Sequence, residues 1–167
     1  MTSYRNDALN RLVAMEKEAL DAYVVANWPE KTGVDSVPRL IHTQETFPYI
    51  VHIWGAGENV SEDEDNSLVN YDVRIRFVCA HIDSGYSGEY ETHLHEMIPL
   101  LEQYLSERPM LKTDSGSYTD WPDYLLPEGF TVGTTLGIEA FPIGGTGTVQ
   151  IGEELSITIP IMRYIVP

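Results

Sequence analysis

The chain has 167 residues, with 26 acidic against 10 basic side chains and a net charge of −16. Its length suits one domain with a single apolar core, and so acidic a surface disfavours nucleic acid and anionic lipid as bound ligands. One cysteine, Cys79, excludes an internal disulfide framework. The opening MTSYRNDALN lacks the apolar stretch of a signal peptide, and the most apolar run, FPYIVHIW, is far too short to span a bilayer.

The first pattern is helical. Leu9, Leu12, Val13, Ala19, Leu20, Tyr23 and Val24 recur at helical spacing. Ser3 or Asp7 is the candidate cap, and Pro29 and Gly33 end the helix by about residue 28. The segment EKTGVDSVPRL that follows is rich in turn formers and reads as a connector.

The period then changes to two. TFPYIVHIW sets Phe47, Tyr49, Val51 and Ile53 against Pro48, Ile50, His52 and Trp54; both sets are largely apolar, which predicts a strand covered on both faces. LVNYDVRIRFVCAHID alternates more cleanly, with Tyr71, Val73, Ile75, Phe77 and Cys79 on one face and Asp72, Arg74 and Arg76 on the other. Between these strands lies GENVSEDEDNS. It reads as a protruding polar loop, longer than a tight hairpin needs.

A second helix is predicted from the stripe Leu94, Met97, Ile98, Leu101, Tyr104 and Leu105. Pro99 falls within it, so a long helix with a distorted first half is expected. After a loop from about residue 107 to 129, FTVGTTLGIEAFPI and ELSITIPIMRYIV flank the glycine turn GGTGT as a hairpin. Leu155, Ile157, Ile159, Ile161 and Ile165 share one face of the last strand, and Pro160 suggests an edge or a bulge there. The order α-β-β-α-β-β predicts one two-layer α+β domain over residues 1–167, a mainly antiparallel sheet packed on two helices.

The candidate chemistry is thin. Glu58, Glu62, Asp63, Glu64 and Asp65 crowd one short loop, with no lysine or arginine between Arg39 and Arg74. A calcium loop counted from Asp63 would need glycine where Leu68 stands and glutamate where Arg74 stands, so the match fails. His93 and His95 lie about 200° apart on a helix and cannot chelate one ion there. Cys79 falls in an apolar set and reads as an inert core thiol beside His81. The glycine groups GAG and GGTGT lack the lysine and following helix of a phosphate loop. No acid, base and nucleophile assemble, so neither an enzyme nor a bound cofactor or metal is expected.

The run of elements resembles the tail terminator proteins of long-tailed bacteriophages. The resemblance rests on the opening helix DALNRLVAMEKEALDAYV, the strands FPYIVHIWG and YDVRIRFVCAHI, the helix HLHEMIPLLEQYL and the closing ELSITIPIMRYI. It covers nearly the whole chain and is one of size, order and texture rather than of an invariant motif. It implies a structural virion protein, assembled in the host cytoplasm and residing at the neck. Six copies would form a ring that caps the tail tube protein, ends its polymerisation and joins the head-completion or connector protein. DNA would pass through the bore without specific binding. On this reading Glu58, Glu62, Asp63, Glu64 and Asp65 line the bore or dock a partner, and Asp72, Arg74 and Arg76 are a possible inter-subunit contact. The alternatives are another neck component, such as a head-closure protein, and a small enzyme or ligand-binding domain using a strand-lined groove near His52, Trp54 and His81.

Overall fold

A computed structural model describes residues 4–37, 48–62, 66–81, 88–111, 113–114, 131–142 and 149–164. Two helices, α1 (Tyr4–Asn27) and α2 (Gly88–Ser106), accompany five strands: β1 (Asp35–Val37), β2 (Tyr49–Glu62), β3 (Asn66–His81), β4 (Thr131–Pro142) and β5 (Val149–Tyr164). The sheet order is β1-β2-β3-β5-β4. Only the β1–β2 pair is parallel. The fold is α+β with a mostly antiparallel sheet, as the alternating patterns predict.

One continuous core explains the layering. Leu12, Met15, Leu20 and Val24 of α1 and Leu94, Met97, Leu101 and Leu105 of α2 join one face of the sheet. That face carries Val73, Ile75 and Phe77 of β3 and Leu155, Ile157, Ile159 and Ile161 of β5, all at 1% exposure or less. The strand period of two places every second residue here, and the helical stripes supply the lid. The opposite face is covered at one end as well. Tyr49, Val51 and Val78 form a second buried cluster there, which accounts for the two-sided apolar character of FPYIVHIW.

Four local expectations are refined. First, the connector contains β1. Its register Asp35↔Tyr49 to Val37↔Val51 makes it a three-residue parallel edge strand, so the order becomes α-β-β-β-α-β-β. Second, α1 begins at Tyr4, so of the two candidate caps Asp7 falls in the first turn, where it meets Arg11 at 3.6 Å, and Ser3 lies outside the described residues. Third, α2 is the long helix expected, and it continues through Pro99 as one element, Gly88–Ser106. Proline removes the N–H that would bond the His95 carbonyl, but Pro99 is exposed, so water can satisfy that carbonyl. Fourth, β5 lies inside the sheet. Pro160 nevertheless sits beyond the last β4 pairing, Thr131↔Thr158, so on that side it has no described neighbour to receive an N–H.

The turn after α2 is under backbone strain. Leu111 has φ 53°, in the left-handed region, at a cost of about 1–3 kcal/mol for a residue with a Cβ. Its side chain is fully buried in the core, which returns about 1.5–3 kcal/mol. The Leu111 N–H donates to the Arg108 carbonyl at 3.2 Å, and Arg11 Nη1 donates to the Leu111 carbonyl at 3.4 Å.

Ile159 lies at the centre of this packing with no exposure. Ile159→Asp places an unpaired carboxylate there and is expected to unfold the domain, whereas Ile159→Val is expected to cost about 0.5–1.5 kcal/mol. Urea denaturation followed by circular dichroism measures both; a folded Ile159→Asp protein would mean that β5 presents its other face to the helices.

Candidate functional site

The acidic segment is the end of a hairpin rather than a long loop. β2 continues to Glu62 and β3 starts at Asn66, with pairings down to Glu62↔Ser67. Pairing continues because β3 has β5 as a full-length neighbour on its other side, through Asn66↔Tyr164. Two register shifts, Trp54/Gly57 and Asn59/Ser61, interrupt β2. Gly57 is required at the first. A Cβ on it would lie 2.6 Å from Val69 Cγ1 and 2.7 Å from Tyr71 Cε1. The Tyr71 ring folds over this glycine and meets Trp54 edge-on, with centroids 5.8 Å apart. From Gly55 to Val60 the strand is exposed. Glu58 stands there opposite Asn70. Asp63, Glu64 and Asp65 lie outside the described residues, as does the side chain of Glu62.

Asp72, Arg74 and Arg76 occupy the face away from the helices, as their alternation predicts. They are not simply a free surface, however. The Thr158 hydroxyl donates to Asp72 Oδ1 at 2.9 Å. Arg76 Nε donates to Glu154 Oε1 at 2.8 Å, and Arg74 Nη1 reaches Glu154 Oε2 at 3.3 Å. The Glu154 side chain is only 3% exposed and that of Arg76 17%, against 49% for Arg74. A carboxylate this buried needs a counter-charge, and β5 finds it on its neighbour β3. The possible inter-subunit trio is thus largely engaged within one chain.

The most buried polar group is one that the sequence reading passed over. Glu16, on α1, has a fully buried side chain and faces His52 of β2, likewise buried. His52 Nε2 lies 2.8 and 3.0 Å from the two Glu16 oxygens. An ionised carboxylate only accepts, so the tautomer with its proton on Nε2 fits. Ser36 Oγ of β1 donates to Glu16 Oε2 at 2.5 Å. The signal was present: Glu16 lies four residues from both Leu12 and Leu20, inside the apolar stripe. Serine, glutamate and histidine invite comparison with a hydrolase triad, but the carboxylate lies between the other two groups. The hydroxyl meets the carboxylate and not the imidazole, which is the base in such a triad. The arrangement ties α1 to β1 and β2.

Further polar contacts strengthen that tie. Lys17 Nζ donates to the Val34 carbonyl at 2.9 Å, and the Val34 N–H donates to Asp21 Oδ1 at 2.8 Å. Lys31 Nζ reaches Asp35 Oδ2 at 2.5 Å and the Pro48 carbonyl at 3.0 Å. At the other end of the helix pair, Tyr104 OH and the Asp114 N–H both donate to Glu18 Oε1 at 2.6 Å. Arg108 stacks over Tyr104, its Cζ 3.8 Å from the ring centroid, and grips both Asp114 oxygens. Those bonds hold the Asp114 carboxyl below its ordinary range and raise the Arg108 pKa further. Burial, then the bond to Glu18, pushes the Tyr104 phenol up to about 12.

His93 and His95 both lie on α2. His93 Nδ1 meets Tyr23 OH at 2.8 Å and its ring packs 4.3 Å from that of Trp28; His95 is exposed. Their separation by the helix is as expected. The strand register does not bring His52 and Trp54 together with His81. His52 pairs with Ile75, and His81 is six residues further along β3, about 20 Å away at the strand rise. The register also breaks between Val78 and Ala80, so strict alternation does not carry past Phe77 to Cys79; the side chains of Cys79 and His81 lie outside the described residues. Among the described residues, no group of three or more His, Cys, Asp or Glu could hold a metal ion. Nor is any described helix long and apolar enough to cross a membrane.

Two outcomes follow from these contacts. Glu16→Ala leaves His52 and Ser36 facing a cavity and is expected to cost about 3–5 kcal/mol, measured by urea unfolding; a loss below 1 kcal/mol would show that the tie is dispensable. For Tyr104, the folded-state pKa lies above the ordinary 10.0, so the fold favours the protonated phenol. Its contribution is complete below pH 10 and is lost as the pH rises toward 12. Phenolate absorbance should contain a late-titrating component that Tyr104→Phe removes.

No protein-family model matches the chain, and no curated protein matches it.

Proposed function

We propose that this chain is a structural subunit of a bacteriophage neck, a tail terminator that caps the tail tube as a ring and joins it to the head. The observation that carries the reading is the run of elements: an opening helix, a long strand pair, a second helix and a closing long hairpin, in one α+β domain. This is the order and texture in which the sequence resembles that family.

Three physical features support it. The long strands β2, β3 and β5, of 14, 16 and 16 residues, give a stiff sheet suited to a ring wall. The buried carboxylates of Glu16 and Glu154 serve as ties between elements. The exposed outer half of β2 and the acids after it give a surface of one sign, along which DNA slides without adhering. The ring has six protomers, its partners are the tail tube protein and the head-completion or connector protein, and its place is the virion neck.

Electron micrographs of particles made without this protein test the reading. Overlong or headless tails are expected; intact virions would overturn it. The role of the hairpin is tested by changing Glu62, Asp63, Glu64 and Asp65 together to their amides. If these acids line the bore, rings form more readily at low salt and DNA delivery slows. If they dock a partner, tails are capped but do not join heads. Unchanged assembly, attachment and infectivity would make the hairpin ordinary solvated surface.

A further inference from the structure

A −16 chain meeting its own copy presents acid to acid over most of its surface. Somewhere the contact must supply a cation, and most described bases are already used. Arg11 lies on Asp7 and the Leu111 carbonyl, Lys17 on the Val34 carbonyl, and Lys31 on Asp35 and the Pro48 carbonyl. Arg76 is taken by Glu154 and Arg108 by Asp114, Glu107 and the Tyr104 carbonyl. Arg74 differs. It makes a 3.3 Å bond to Glu154, and half of its side chain is exposed.

Arg74 also has a complement on its own face of the sheet. Glu58 stands directly opposite Asn70, and residues 70, 72 and 74 of β3 alternate onto one face. Glu58 is exposed. Four residues separate Asn70 from Arg74, about 13 Å along the strand, too far for Glu58 and Arg74 of one chain to meet. Asp72, between them, already accepts the Thr158 hydroxyl. On this face, then, Glu58 and Arg74 are each beyond the other's reach in their own chain, and each is exposed to meet its counterpart in another.

We propose that Arg74 is a self-association contact of this chain, receiving the Glu58 carboxylate of a second copy. This rests on the self-assembling reading given above. A single exposed ion pair adds little affinity. Its role is to favour approach at this part of the surface, since acid that meets acid elsewhere on the chain is repelled.

The experiment is light scattering on purified protein at low salt, with wild type, Arg74→Glu, Arg74→Gln, Glu58→Arg and the double variant Arg74→Glu/Glu58→Arg. Thermal melts accompany each, because Arg74 also neighbours the buried Glu154. Wild type is expected to associate. Each single variant should associate several-fold more weakly, with Arg74→Gln moving in the same direction without adding charge beside Glu154. The double variant should regain association. Single variants that associate like wild type, or a double variant no better than the singles, overturn the Arg74–Glu58 contact while leaving self-assembly standing. A wild type that remains monomeric overturns the ring itself, and this contact with it.

Discussion

The fold depends on a carboxylate that water does not reach. Glu16 projects from the middle of α1 into the junction of β1 and β2, and it accepts from His52 and Ser36 at once. A buried charge of this kind is costly unless its lone pairs are filled, so α1, β1 and β2 must be assembled together or not at all. The neighbouring contacts of Lys17, Asp21 and Lys31 then fix the chain leaving α1. Apolar burial brings the helices to the sheet, but it is non-directional. The Glu16 junction is what makes one placement of α1 along the sheet better than its neighbours.

The same logic recurs on the far face at Glu154. There the two arginines of β3 compensate a carboxylate on β5, and the pairing locks the register of the two longest strands. A slip of one residue would send Glu154 toward the helices and a core isoleucine outward. Charge in this acidic protein is thus divided by role. Among the described residues, bases mostly satisfy carbonyls and acids of their own chain.

What could be read from the sequence followed from periodicity. The stripes of α1 and α2 and the alternation of β3 and β5 needed only the repeat of side-chain directions, and the α+β class follows from them. β1 was illegible because its strand state is imposed from outside: Asp-Ser-Val is held by side chains of α1 and by β2, not by its own pattern. The hairpin end was misread for a related reason. GENVSE is polar and carries glycine, yet its backbone pairs with β3, which is itself held straight by β5. Glu16 was hidden by its charge; a glutamate within a helical stripe is usually a solvated neighbour, and only the position of His52 and Ser36 shows it to be enclosed. Among the candidate site residues, the face of Asp72, Arg74 and Arg76 could be read, but their partner Glu154 lies far away in sequence.

That distance has a consequence during synthesis. The bonds joining β3 to β5 span 78 to 86 residues, and the second strand is the last described element of the chain. As the polypeptide leaves the ribosome, β3 is made long before β5 can emerge. In that interval the Val73, Ile75 and Phe77 face has its helices but not its central neighbour, and one whole edge of β3 is open. Non-local pairing of this kind is slow, and open edges on a nascent chain are prone to pair with the wrong strand. Aggregation during rapid expression is therefore a hazard inherent in the topology. Lower temperature or weaker induction, which keeps fewer unfinished chains together at one time, should improve the yield without any change in the stability of the finished protein.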